Sequence, residues 1–320
     1  MALVTQPELE AALDSLSREV RDRREGILGP GSTAWHVGGD LAVFLGGGRA
    51  ALLQLAHPLV AHAVDHHSRT RGDVVGRFQR TFRNVFAMIF GELDEAFTAA
   101  RRVHAIHTRV HGTIPHAIGS WPAGTRYHAN DADALRWVHA TLVDSVIVVR
   151  ERLDGALSDA TKDAYTIEMN RFARLFGIPR DKLPASWAEH IIYMEQMIGS
   201  GRLAVAPCAK EMAMFLLGRA GPGRQPRLGS IVEAVTASLL PAELARDFGI
   251  ASTRRSRAGV RAALTALAPL YRRLPGKLVA IPARSEAMRR LAGKPPSRFA
   301  AWTERRLFGL TRQVTGTGIL

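Results

Sequence analysis

Three histidines lie close together in one helical stretch of the sequence. They are His104, His107 and His111, in the segment RRVHAIHTRVHG, and they are three and four residues apart. On an α-helix this spacing brings side chains to one face. Imidazoles gathered in this way can bind a metal ion, hold an iron cofactor or transfer protons.

His107 is the histidine aimed most directly at the core. A helical rotation of about 100° per residue places it within an apolar stripe of Ala96, Ala100, Val103 and Val110. A buried imidazole with a hydrogen-bond partner is the commonest explanation for such a residue. A zinc site is a second explanation, although HTRVH lacks the glutamate that serves as general base in zinc hydrolases. A haem pocket is the third, and the spacing alone does not choose among them.

The preceding helix carries a cation and a hydroxyl one turn apart. In GDVVGRFQRTFRNVFAMIFG, Arg77 and Thr81 border an apolar face, and Arg80 lies about a quarter turn from that edge. Charges on a helix are ordinarily a solvated stripe. The functional alternative is that these residues pair with haem propionates or orient a bound oxygen species.

Further upstream, GGDLAVFLGGGRAALLQLAHPLVAHAVDHHS contains three glycines before Arg49, and His57 precedes Pro58. The glycines either break a helix or let the backbone approach a flat ligand closely. They match no phosphate-binding loop. We predict two or three short buried helices over residues 40–67, with Arg49 and His57 as further candidates for cofactor contacts.

The apolar spacing along the chain predicts an all-α fold, because alternating strand patterns are nearly absent. We expect one large helical domain, globin-like in general character, that encloses a pocket. Its parts would be an N-terminal helix in residues 1–28, a core in 29–217 and a basic helical C-terminal portion in 218–320. Within these parts we predict helices over residues 6–24, 73–90 and 93–111.

Composition limits the possible partners and cofactors. The formal net charge of +14 favours an anionic partner, which could be nucleic acid, a membrane surface or an anionic cofactor. The single cysteine, Cys208, excludes an internal disulfide, a four-thiolate metal site and covalent c-type haem attachment. Any haem must therefore be held without covalent links.

The chain start, MALVTQPELEAALDSLSREV, lacks a basic start and an apolar run, and we therefore expect a cytoplasmic location. No stretch approaches the ~20 apolar residues of a spanning helix. Peripheral contact with a membrane surface is still possible for a chain with this excess of basic residues. Specific nucleic-acid binding is disfavoured, because the basic residues are scattered and no recognition motif stands out.

Four segments in succession resemble the rubber oxygenase and mpaB-like oxygenase family. They are LGGGRAALLQLAHPLV, RFQRT, VHAIHTRVHG and RYHANDADALRWVHATLVDS, within residues 29–198. The resemblance implies a helical fold around a non-covalent haem b, with His107 as the proximal iron ligand. It also implies that Arg77, Arg80 and Thr81 line the distal side.

The sequence departs from the family pattern at several of these places. Arg80 stands where rubber-cleaving members have lysine, and His104 and His111 stand where relatives often have arginine. A distal acidic residue has no clear counterpart. Polyisoprene is therefore not carried over as the substrate.

Together these features predict a haem b-dependent oxidoreductase or oxygenase. It would act with dioxygen or peroxide on a small apolar molecule, isoprenoid or lipid-like in character. The alternative is a non-catalytic haem carrier or sensor in which a second histidine, such as His66, fills the other axial position.

Overall fold

The structure, a computed structural model, describes residues 1–66, 74–219, 226–250 and 252–297, without the side chains of residues 74–80 and 226–228. Their regular secondary structure is almost entirely helical, with one short two-stranded sheet, which confirms the all-α prediction. The helices are α1 (Gln6–Glu19), α2 (Thr33–Gly38), α3 (Gly47–Leu55), α4 (Pro58–His66), α5 (Val74–Phe90), α6 (Leu93–Thr108), α7 (Ala132–Asp154), α8 (Asp159–Arg174), α9 (Trp187–Gly199), α10 (Pro207–Leu216), α11 (Pro226–Leu239), α12 (Ala242–Asp247), α13 (Arg254–Arg272), α14 (Gly276–Val279) and α15 (Pro282–Leu291). Strands β1 (His111–Thr113) and β2 (Arg126–His128) pair antiparallel.

Helix α7 is the centre of the fold. It has 23 residues, and buried side chains such as Trp137, Val143 and Ile147 lie on several of its faces. A helix that is apolar on most sides must be surrounded by others. Accordingly α2, α3, α8, α9 and α13 all pack against it.

The start of α7 follows from its capping residue. The Asp131 side chain accepts hydrogen bonds from the backbone N–H groups of Asp133 and Ala134, at 3.1 and 2.9 Å. These satisfy two donors that the first turn of a helix leaves unpaired. Aspartate is among the residue types preferred at this position, so the sequence itself indicates where α7 begins.

The apolar region before residue 67 divides as predicted. A 3₁₀ segment, Leu41–Gly46, leads directly into α3, and α4 begins at Pro58. Proline is well suited to the first position of a helix, because its missing N–H has no partner there in any case. The glycines do not interrupt α3, which begins at Gly47.

Two predicted helices end earlier than expected. Helix α1 stops at Glu19 rather than at residue 24, and Asp22 then caps a separate 3₁₀ turn, Arg23–Glu25, by accepting from the Arg24 N–H. Helix α6 stops at Thr108, because the chain turns into β1 three residues later. Pairing with β2 provides hydrogen-bond partners for the backbone N–H and C=O groups that a longer α6 would have paired within the helix.

The portion after residue 218 packs on the rest, with α11 against α3 and α13 against α7. The three-part division of the chain stays a prediction. Within the described residues no single helix is long and apolar enough to cross a membrane; Leu41–Leu55 with Pro58–His66 meets that test only as a pair, bent by 100°.

Candidate active site

Helices α5 and α6 form an antiparallel hairpin, joined by two residues and packed against each other. Because each residue advances a helix by about 1.5 Å, the first turns of α5 lie level with the last turns of α6. Arg77 on α5 is therefore level with the end of α6, where His107 lies. The side chains of Arg77 and Arg80 lie outside the described residues, whereas Thr81 is described and is exposed.

His107 lies in the last turn of α6 and is half-buried. Its Nδ1 atom is shielded from solvent and has no hydrogen-bond partner in the described structure. Burial, with the neighbouring His104 imidazole, lowers the pKa of His107 to about 4, although the nearby Asn130 amide opposes the shift. The ring is therefore neutral at neutral pH, which is the form that binds a metal ion.

His104 is fully buried and points to the N-terminal segment. Its Nε2 lies 2.9 Å from the carbonyl oxygen of Val4. The Asn130 amide nitrogen donates to the His104 carbonyl oxygen and to the Thr108 hydroxyl, both at 3.2 Å. These contacts fix the end of α6 against the start of α7, and so they fix the backbone that carries His107.

His111 does not share the helical face of His107. The early end of α6 places it in β1, exposed to solvent and directly opposite His128 of β2. The two rings are stacked, with their centroids 5.9 Å apart. The helical prediction for this residue is wrong, since strand pairing decides its position.

Arg49 lies in a buried polar cluster between α3, α7 and the end of α11. Its Nη2 is 2.5 Å from Asp144 Oδ2, its Nη1 donates to the Ser145 hydroxyl and its Nε donates to the Leu239 carbonyl oxygen. His190 Nε2 is 3.9 Å from the other Asp144 oxygen. Among the described residues, no hydrogen bond or ion pair joins Arg49 to His107. These contacts give Arg49 a structural role in the core.

His57 lies between α3 and α4 and is buried against the ring of Trp121, with the ring centroids 5.3 Å apart. Burial lowers the pKa of His57 to about 4, and the charge of Arg202 contributes. Its Nδ1 has no partner in the described structure. The side chain is thus a neutral imidazole in the wall between two short helices.

The sequence interpretation missed a cluster beside β2. His62 and His66 face the same side of α4; His66 Nδ1 lies 2.8 Å from the Tyr127 hydroxyl and His62 Nδ1 lies 3.9 Å from Cys208 Sγ. Burial raises the pKa of Cys208 to about 11, so its thiol is protonated and unreactive at neutral pH. The spacing of four residues between the two histidines is a signal that could have identified part of this cluster.

No three histidine, cysteine, aspartate or glutamate side chains converge as a metal site among the residues that the structure describes. The zinc interpretation of His104, His107 and His111 therefore gains no support. A cavity of about 380 Å³ adjoins Val4 and Ala132, next to His104, but His107 is not part of its lining.

These features belong to the catalytic domain of an oxygenase. The family model described as ER-bound oxygenase mpaB/B'/Rubber oxygenase, catalytic domain, matches residues 35–272, about three quarters of the chain. The chain belongs to this family, as its motifs suggested. Comparison with curated proteins and with solved structures gave no match.

Proposed function

We propose that this protein is a haem b-dependent oxygenase that acts with dioxygen, or with peroxide, on a small apolar molecule. The observation that carries the proposal is the unpartnered, buried Nδ1 of His107 in a chain of an oxygenase family. A buried polar atom without a hydrogen-bond partner lowers the stability of the fold. A bound ligand that contacts the His107 ring would explain why this unpaired nitrogen is present.

The described residues fit haem in three respects. His107 is neutral and stands on a helix end that Asn130 and His104 hold in place, as a ligand with an oriented backbone requires. The single cysteine leaves non-covalent binding as the mode of attachment, and the net charge of +14 suits a cofactor with two carboxylates. When bound, haem would supply the redox chemistry that activates an oxygen species.

The remaining roles fall to residues of α5 and their surroundings. We assign Arg77 and Thr81 the orientation of the oxygen species, with Arg80 as a weaker candidate for the same contact or for a propionate. His104 and Asn130 act as positioning residues, because their hydrogen bonds hold α6 rather than a substrate. An apolar substrate, isoprenoid or lipid-like, is suggested by the rubber oxygenase members that the family description names.

The test is an absorbance spectrum of the protein after purification with haem supplied. We expect a Soret band in the parent chain and a loss of most of it in His107→Ala, because the iron loses its ligand. The matched control is His111→Ala, which removes an exposed imidazole four residues later and should retain the band. A full Soret band in His107→Ala would show that another residue binds the iron.

Carbon monoxide separates catalysis from simple haem carriage. With an open axial position, the ferrous protein should bind carbon monoxide readily and its Soret band should shift. A carrier with two histidine ligands, such as His107 and His66, would resist that shift. The second result would favour the carrier or sensor function.

A further inference from the structure

Helices α13 and α14 present a row of uncovered leucines. Leu267, Leu270 and Leu278 are 59%, 62% and 62% exposed, and Leu274, at 42%, lies between them. Leu267 and Leu270 are three residues apart on α13 and so share one side of that helix, whereas Leu274 lies in the turn that joins α13 to α14. We call the four residues the leucine face.

Helix α13, which carries two of these leucines, is anchored to the core. No described residue covers the leucine face. The adjacent stripe of α13 faces the core: Ala268 is buried, and the Tyr271 hydroxyl donates to Asp40. Helices α7 and α11 pack on that side. The leucines are thus displayed by an anchored helix, and exposed apolar groups that lie together mark a binding surface.

Along α13 and α14 every charged residue is basic, and the α7 carboxylates Glu151 and Asp154 line a cleft beside Ala268, on the core-facing side of α13. Between Asp247 and Glu286 the sequence contains no carboxylate but eight basic residues. Arg273 and Lys277 are exposed within the row of leucines, and among the described residues no carboxylate pairs with either. A partner for this surface must therefore be both apolar and anionic.

We propose that the leucine face binds the surface of an anionic lipid bilayer, with the leucines entering the acyl boundary and Arg273 and Lys277 meeting lipid phosphates. A bilayer interface offers an apolar layer within a few ångströms of negative charge. Nucleic acid offers the charge without the apolar layer. A second copy of the chain would bring the same basic residues together, and like charges oppose that contact. The proposal does not depend on the haem assignment.

Co-sedimentation with vesicles tests this surface on the full chain. Two kinds are compared, one of phosphatidylcholine alone and one with about a third phosphatidylglycerol. We expect binding to the anionic vesicles only. Leu270→Ser/Leu278→Ser should weaken it about tenfold or more, and Arg273→Gln/Lys277→Gln should weaken it about fivefold per charge removed.

The matched control is Ile167→Ser/Ile192→Ser, which removes two apolar side chains of similar exposure from α8 and α9. It should bind as the parent does, and circular dichroism should show all variants folded. Binding that survives the leucine substitutions would overturn the proposal, since it would be charge attraction alone. So would an absence of vesicle binding together with self-association, measured by light scattering, that the leucine substitutions abolish.

Discussion

At the scale of single residues, the buried ion pair of Arg49 and Asp144 is a strong energetic constraint. Both side chains are 7% exposed, and the pair is supported by the Ser145 hydroxyl and the Leu239 carbonyl oxygen. The attraction of such a pair mainly offsets the cost of removing both charges from water. The serious loss comes when one partner is removed, because the other charge is then buried alone.

Asp144→Asn should therefore lower the free energy of unfolding by about 3–5 kcal/mol. Removal of both charges in Arg49→Met/Asp144→Leu should recover a large part of that loss. Urea denaturation of the single and double variants measures both effects.

The control for this prediction is the exposed pair Arg23 and Asp94, whose side chains are more than half exposed. Asp94→Asn should cost no more than about 1 kcal/mol. Equal losses for Asp144→Asn and Asp94→Asn would contradict the role assigned to the buried pair.

Among the elements, the close approach of α3 to α11 depends on a glycine. A Cβ atom on Gly48 would lie 2.1 Å from the Thr236 hydroxyl oxygen, and one on Gly46 would lie 3.0 Å from the Ser145 carbonyl oxygen. A Cβ on Gly47, between them, would meet nothing within 4 Å. Gly46 and Gly48 thus allow close packing in the described structure, whereas Gly47 is not needed for it.

Gly48→Ala should destabilise the protein by about 1–3 kcal/mol, because the added methyl group overpacks the contact. Thr236→Ala should restore part of the loss in the double variant. Gly47→Ala is the matched control, with a helical backbone and open space, and should change stability by a gain of up to about 1 kcal/mol. Thermal unfolding separates the three variants, and a loss in Gly47→Ala equal to that in Gly48→Ala would rule out the packing explanation.

At the scale of the whole molecule, several buried histidines make the fold sensitive to acid. Burial is the main cause that lowers the pKa of His57 to about 4, of His139 to about 3 and of His190 to about 4. All three are nearly inaccessible to solvent. In the unfolded chain each of these histidines has a pKa near 6.5, so each binds a proton more readily there than in the folded chain.

The sign of the pH effect follows directly. Above pH 6.5 both states are neutral at these positions, and the stability is fully present. As the pH falls from about 6 to 4.5 the unfolded chain binds more protons, so the free energy of unfolding should fall by about 1.4 kcal/mol per pH unit per histidine. Together with His107, whose pKa burial also lowers to about 4, these histidines predict a slope of up to about 5.5 kcal/mol per pH unit, measured by urea denaturation across this range.

His139 provides the sharpest variant, because both of its ring nitrogens lack partners in the described structure. His139→Leu should reduce the slope by about a quarter. The exposed His116 is the control, and His116→Gln should leave the slope unchanged. An unaltered slope in His139→Leu would mean that other groups cause the acid sensitivity.

Features that depend on residues close together in the chain could be predicted from the sequence. The helical class follows from apolar spacing, the start of α7 follows from Asp131, and the family follows from motifs that are contiguous in the chain. The imidazole of His107 is neutral and half-buried on the apolar stripe of its helix, whereas His104 is the more deeply buried of the two. Apolar spacing and helix capping involve residues that are close together in the sequence, so the sequence is enough to predict them.

The positions of His111, of Arg49 and of the exposed leucines depend on the tertiary structure. Strand pairing with His128 removed His111 from the helix, and Asp144, distant in sequence, engaged Arg49 in the core. On α13 two neighbouring stripes are both apolar, and only packing against α7 and α11 determined that Ala268 is buried and Leu270 is left outside. These outcomes depend on partners brought together by folding, which no local pattern specifies.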